Sequence, residues 1–213
     1  MSISRGILRA SFAMLILAGL SLDASAVELA INGGFEAGDT SDWVSFPSGS
    51  STFTAESVSP NTGSFNGKLE NTATGSAAVI KQANVGVGTV TPGQDITINF
   101  WARGSAEAGG VHFAELFSEL DGGGTSKSEI LSGAPLFPPS DTTWTEYTFN
   151  TTLGPDVSGG VTLQFNAATG ANLGSFSILE IDDVSISVAG IPEPTSLALL
   201  SLAGLGLAGR RRR

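Results

Sequence analysis

Cysteine is missing from all 213 residues. That excludes a disulfide scaffold, thiol catalysis and cysteine-based zinc sites. Histidine occurs once, as His112, so a histidine-rich metal centre and a two-histidine mechanism are excluded as well. Positive charge is scarce and badly distributed. Of ten basic residues, Arg5 and Arg9 lie near the start and Arg210, Arg211, Arg212 and Arg213 form the end. Between residues 27 and 191 only Lys68, Lys81, Arg103 and Lys127 face 18 acidic groups, a net charge of −14. Such a surface repels nucleic acid and anionic lipid, while tolerating Ca²⁺ and neutral glycans. What the chain has in quantity is glycine, 28 residues of it, with many Ser and Thr. This composition suits an all-β domain with many turns.

The two ends read as addresses. Met1 to Arg9 is short and positive, Ala10 to Leu22 is an apolar run of 13 residues, and Ala24-Ser25-Ala26 supplies small residues in an A-x-A pattern. This is the three-part layout of a secretory signal peptide over 1–26, cut after Ala26 by signal peptidase. A membrane span would need a longer run. At the other end Pro192 and Pro194 hold the chain extended. Thr195 or Ser196 can cap the uncharged Leu197–Leu207 stretch that follows. A helix from Thr195 to Gly209 would measure about 22 Å, short of the roughly 30 Å hydrocarbon core. Bilayer thinning and arginine snorkelling could close that gap, with the four arginines on the cytoplasmic side.

Ile191-Pro192-Glu193-Pro194, the short helix and the terminal arginine cluster resemble the PEP-CTERM sorting signal of Gram-negative bacteria. The resemblance implies recognition and cleavage by an exosortase, in hosts that make extracellular polysaccharide. The protein would then be a substrate of that system, held at a membrane transiently and released to the cell surface or matrix. Such tails sometimes accompany an ice-binding label. No regular Thr-x-Thr repeat supports that function here.

Residues 27–190 carry period-two alternation. Ile96, Ile98, Phe100 and Ala102 fall on one strand face, as do Val161, Leu163, Phe165 and Ala167, and Tyr147, Phe149 and Thr151. Turn signals separate the runs at Pro60–Gly63, Thr91–Gly93, Asp121–Gly124 and Gly154–Asp156. Short strands between Gly and Pro turns predict a single β-sandwich or jelly roll, long enough to bury a core between two sheets.

Asn32-Gly33-Gly34-Phe35-Glu36 with Asp42-Trp43, then Trp144–Phe149, then Ile181-Asp182-Asp183-Val184-Ser185-Ile186 resemble the opening, a late strand and the closing strand of carbohydrate-binding modules with a galactose-binding-like jelly roll. The resemblance implies a structural Ca²⁺ shared by the first and last strands, with Glu36 and Asp182 at the matching acidic positions. Asp182 shares strand parity with Val184 and Ile186, so an inward carboxylate in need of a partner is expected. A carboxylate bonded to backbone amides in a turn is the competing account. Trp43 and Trp144 match positions that pack in the core.

Sugar binding needs flat apolar surface for ring C–H faces and amides or charges for hydroxyls. Trp101 and Arg103 face away from Ile96, Ile98 and Phe100, and Gln164 and Asn166 face away from Leu163 and Phe165. If both strands share a sheet, these four line its outer, concave face. Otherwise Trp101 packs under a loop and the others are solvated. His112 and Glu115 differ in parity and form no acid–base pair, which leaves His112 as a lone exposed histidine. Glu115 and Glu119 share a face, as on any solvated acidic strand. Gly122-Gly123-Gly124 has no lysine in the phosphate-loop arrangement. No coherent catalytic set emerges. The expectation is a non-catalytic exported surface or matrix protein associated with extracellular polysaccharide. A dedicated carbohydrate-binding protein with calcium is the alternative, and a polysaccharide-active enzyme the remote one.

Overall fold

The computed structural model describes residues 25–138 and 140–190. The expected signal peptide, except its last two residues, and the tail from Ile191 onward lie outside the described residues. Eleven strands are described, in the order β1 (Val27–Glu28), β2 (Val44–Phe46), β3 (Thr52–Glu56), β4 (Asn66–Asn71), β5 (Ala77–Val85), β6 (Asp95–Glu107), β7 (Val111–Glu119), β8 (Thr125–Ile130), β9 (Thr145–Thr152), β10 (Val161–Ala168) and β11 (Phe176–Val188). One 3₁₀ turn spans Leu131–Gly133. Among the described residues no helix is long and apolar enough to cross a membrane.

The strands form two antiparallel sheets. One has the order β3-β4-β11-β6-β9, with β1 also paired to β11, and is called here the β11 sheet. The other, the β10 sheet, has the order β2-β5-β10-β7-β8. Every pairing joins strands distant in sequence except β3–β4 and β7–β8. This all-β sandwich is consistent with a jelly roll.

The alternation read from the sequence places the core. Ile96, Ile98, Phe100 and Ala102 on β6 and Val161, Leu163, Phe165 and Ala167 on β10 are all essentially inaccessible. Their side chains meet between the sheets, where Phe100 packs edge-on against Phe165 with centroids 4.9 Å apart. Full burial of each of the larger of these side chains, the alanines excepted, stabilises the fold by about 1.5–3 kcal/mol before entropy is counted. Tyr147 and Phe149 on β9 lie half-buried against Phe100. Trp43 sits in the core as expected, stacked 5.6 Å from Phe35 and 6.0 Å from Phe165.

The opening segment is built against the closing strand. Val184 donates its N–H to the Gly33 carbonyl at 3.0 Å, and a Cβ at Gly33 would lie 1.9 Å from the Val184 oxygen. Only glycine permits that approach. Phe35, at φ +56°, then turns its buried ring onto Gly67 of β4, where a Cβ would lie 2.4 Å from the ring.

Strand β11 does not keep one phase. Its register with β6 shifts between Asp182 and Ser185, and Asp183 adopts φ +50°. Before this bulge Ser177, Leu179 and Ile181 point inward, and after it Val184, Ile186 and Val188 do. An extra residue in one strand reverses the side-chain parity beyond it.

Candidate functional site

The outer face of the β10 sheet combines apolar surface with a few polar groups. Residues directly opposite in an antiparallel pair point to the same side. On the central strand Gln164 lies between Lys81 of β5 and Glu115 of β7, and Asn166 lies between Val79 and Phe113. Val44 and Phe46 of β2 extend the face beyond Lys81 and Val79, with about half of each side chain exposed. Phe117 and Ile130 extend it on the β8 side, Ile130 opposite Glu115.

Polar contacts fix the centre of this face. Gln164 donates through Nε2 to the Glu115 carboxylate at 2.8 Å. The Lys81 ammonium lies 5.2 Å from the centre of the Phe46 ring, within cation–π range. Asn166 Oδ1 is covered and has no hydrogen-bond partner among the described residues. A covered acceptor left without a donor carries a cost of about 1–3 kcal/mol. Lys81 and Glu119 also border a groove of about 470 Å³ beside Gly122, Gly123 and Ser158.

The expected four-residue platform is divided by this topology. Gln164 and Asn166 are on the outer side of the β10 sheet, whereas Trp101 and Arg103 belong to β6 in the β11 sheet. The two pairs therefore face opposite sides of the sandwich. Nor is Arg103 free to meet a ligand, being only 6% exposed. Its Nε and Nη2 donate to the Glu180 carboxylate at 3.0 and 2.5 Å, and Nη2 also donates to the Val58 carbonyl at 2.9 Å. Its guanidinium lies 4.6 Å from the centre of the Trp144 ring. Trp144 is therefore not a core side chain. It covers Arg103 on the outer face of the β11 sheet and donates Nε1–H to the Ser59 carbonyl at 3.0 Å. Trp101 stands half-buried opposite Glu146 and Asp182.

The bulge in β11 also corrects the orientation of Asp182. It lies opposite Trp101, so it shares the outer side of its sheet with Trp101 and not the inner side with Val184. It is nevertheless fully buried, because the 61–65 loop closes over it. Asp182 Oδ2 accepts N–H bonds from Asn61 at 2.8 Å and Thr62 at 3.2 Å, and Oδ1 accepts one from Asp183 at 2.8 Å. Burial pushes its carboxyl up from 3.8 to about 6, reinforced by the charge of Asp183 and opposed by those three amides. Asp183 accepts from Asn61 Nδ2 at 2.8 Å and Thr62 Oγ1 at 2.7 Å. Glu36 accepts from the N–H groups of Ser64 and Phe65 at 2.9–3.1 Å.

Glu36 and Asp182 thus clasp the two ends of one loop. Their oxygens have the hard chemistry that calcium prefers, but each carboxylate is taken up by amide donors. No group of three or more His, Asp or Glu side chains is arranged to hold a metal among the described residues. The donor set fits a loop clasp and not a cation cage.

His112 is buried at 3% exposure, not solvated, with its side chain directed between the sheets. Desolvation lowers its pKa from 6.5 to about 4, partly offset by the Ile178 and Ser105 carbonyls. Glu115 points to the other side of β7. The outward aromatics Phe46, Phe113 and Phe117 were missed by sequence reasoning. In β7 the signal was present, since Phe113, Glu115 and Phe117 alternate with the inward Ala114 and Leu116. Which strands lie beside β10 was not.

Comparison with known proteins agrees with this architecture. A profile described as a carbohydrate binding domain matches residues 27–171. A second, the PEP-CTERM protein-sorting motif, matches residues 190–213. No match is found among curated proteins. Of solved structures, the enzymatically active domain of tailspike protein 4 from bacteriophage CBA120 is similar with a TM-score of 0.58 and 18% identity, over 76% of this chain and 21% of that one. The chain thus spans about a fifth of the tailspike. A CBM22 xylan-binding domain from Paenibacillus barcinonensis is similar with a TM-score of 0.55 and 10% identity, over 80% of this chain and 99% of that one. A Stig cyclase from Fischerella is similar with a TM-score of 0.55 and 14% identity, over 78% and 99% of the two chains. At these identities the structural likeness establishes the fold alone. The profile match covers more than half of the sequence, and the chain belongs to the carbohydrate binding domain family, with a PEP-CTERM sorting motif at its C-terminus.

Proposed function

We propose that this is a non-catalytic, exported carbohydrate-binding protein whose glycan surface is the outer face of the β10 sheet. The observation that carries this reading is the placement of the Gln164 and Asn166 amides on one outer face with flanking Phe46 and Phe113. Aromatic and aliphatic side chains suit the C–H faces of sugar rings, and side-chain amides suit their hydroxyls. Extracellular polysaccharide is the ligand class consistent with the family and with the sorting motif. The face lacks the features of a catalytic pair: Glu115 is engaged by Gln164, and His112 lies on the opposite side of its strand.

In this reading residues 1–26 direct export and are removed, residues 27–190 form the binding domain, and residues 191–213 act as the sorting device. The Pro192-Glu193-Pro194 segment and Arg210–Arg213 present the tail to an exosortase-type membrane protease. Membrane association is then transient, and the mature protein resides at the cell surface or in the matrix. Polysaccharide pull-down with the intact chain tests the binding face. Phe113→Ala and Asn166→Ala should each weaken retention several-fold, while Trp101→Ala should leave it unchanged. The assignment fails if Trp101→Ala alone abolishes retention, or if no polysaccharide is retained. Deletion of residues 191–213 should change where the protein accumulates, and unchanged surface retention would remove the sorting role.

A further inference from the structure

Two open sheets leave four edge strands, and three of them are guarded. Strand β2 is only three residues long, β3 ends on Glu56 beside Lys68, and β8 carries Lys127 and Glu129. Short length and edge charges discourage pairing with another chain. Strand β9 has neither protection. Thr145–Thr152 runs eight residues of high strand propensity without Pro, Gly or Lys, and Glu146 is its single charge. It pairs with β6 on one side without a bulge, and with no strand on the other side among the described residues.

The ladder fixes which main-chain groups face the open side. Leu153 donates its N–H to the Gln94 carbonyl at 2.9 Å, so the odd-numbered residues of β9 turn their main-chain groups towards β6. The N–H and C=O groups of Glu146, Thr148 and Asn150 therefore point to the open edge. The Thr152 carbonyl, next in that series, shows the direction, because it leaves the ladder and accepts from Lys127 Nζ at 2.6 Å. The side chains along this edge are also incompletely covered. Tyr147 and Phe149 on the inner side are half-buried, and Glu146, Thr148 and Asn150 on the outer side are exposed.

We infer that this edge pairs with β9 of a second copy, antiparallel about a two-fold axis at Thr148. The strand's own residues select that register. It sets Thr148 opposite Thr148, Glu146 opposite Asn150 and Tyr147 opposite Phe149, and it joins the open main-chain groups by about six hydrogen bonds. The cross-strand aromatic pairs carry the Phe100–Tyr147 stack, with centroids 5.3 Å apart, on towards the second copy. Centring on Glu146 would oppose two carboxylates. Centring on Asn150 would set Thr148 against Thr152, whose carbonyl is taken by Lys127. A shift of one residue would turn the inner side chains outward. The axis stands normal to the joined sheet, so the outer faces of both β10 sheets look the same way. That arrangement suits bivalent capture of a repeating polymer. This consequence rests on the β10-sheet reading, whereas the pairing itself does not.

The absence of cysteine makes the test specific, because a single introduced thiol can form a disulfide only with another copy. Opposite Cα atoms of a hydrogen-bonded antiparallel pair lie about 5.5 Å apart, within disulfide reach. Thr148→Cys in the intact chain should therefore oxidise to a covalent dimer. Thr54→Cys, also exposed but on the β3 edge, should stay largely monomeric. Adding Asn150→Glu to Thr148→Cys places a carboxylate opposite Glu146 at both ends and should slow cross-linking about fivefold to tenfold. Adding Asn150→Lys instead should speed it, with the gain lost in high salt. A Thr148→Cys chain that stays monomeric on oxidation, equal linking of Thr54→Cys, or a rate indifferent to the charge at position 150 would each overturn the inference. A covalent dimer that retains no polysaccharide would uphold the pairing and refute only the β10-sheet reading.

Discussion

Acidification should act on two buried groups in opposite directions. His112 has a native pKa of about 4 against an ordinary 6.5, because its charged form is disfavoured between the sheets. Its contribution to stability is complete above 6.5 and is lost as pH falls towards 4. At about 1.4 kcal/mol per pH unit the full loss is roughly 3 kcal/mol. Asp182 behaves in the reverse sense. Its native pKa of about 6 exceeds the ordinary 3.8, so its neutral form is favoured under the 61–65 loop. Stability is gained as pH falls through 6 towards 3.8, and lost again as pH rises, by a similar roughly 3 kcal/mol. Between pH 7 and pH 4 the two contributions nearly cancel in the wild-type chain. The variants separate them. Urea unfolding of the intact chain at pH 7, 5 and 4 should show His112→Phe gaining about 3 kcal/mol on the wild type as pH falls, whatever its packing cost at pH 7. Asp182→Asn should lose a similar amount on the wild type over the same interval. Each difference is read against the wild type, so the exposed carboxylates drop out. Parallel pH profiles for wild type and His112→Phe would show that the imidazole is not held neutral in the core, and would refute this account.

Two further outcomes follow from the outer face of the β11 sheet. Arg103→Ala should cost about 3–5 kcal/mol in urea unfolding, because it leaves Glu180 covered without its cation, and a cost below 1 kcal/mol would show that the pair is solvated. Calcium should leave the melting temperature unchanged, since Glu36 and Asp182 are saturated by amides of one loop. A ligand of the native state must raise it, so a rise of several degrees on adding Ca²⁺, reversed by a chelator, would replace the clasp with a metal site.

What the sequence made legible was local, and what it concealed was topological. Alternation on β6 and β10 identified the inward side chains correctly, because strand parity needs no knowledge of neighbours. The same alternation placed Trp101, Arg103, Gln164 and Asn166 outward, which also holds. It could not say that β6 and β10 belong to different sheets, and the four residues parted on that point. A conditional grouping of outward residues fails whenever the strand order is unknown, since each sheet has its own outside. Asp182 failed for a different reason. Parity counted from Val184 and Ile186 assumes an unbroken strand, and the bulge at Asp182–Asp183 inserts one residue between them. A non-glycine residue at φ +50° is not readable from Ile181-Asp182-Asp183-Val184, although two adjacent acidic residues inside an apolar strand were a sign that the ladder is interrupted. Burial then had to come from outside the sheet, and the loop that supplies it is 120 residues away in sequence. The same logic separates the two kinds of outer face. On the β11 sheet Arg103 recruits Val58, Trp144 and Glu180 and is consumed by structure. On the β10 sheet Phe46 stands half-exposed, and Phe113 and Phe117 are partly exposed on the same side as Gln164 and Asn166. A charged group buried with all its partners stabilises its own fold, whereas partly exposed apolar rings beside outward amides gain most when a ligand covers them.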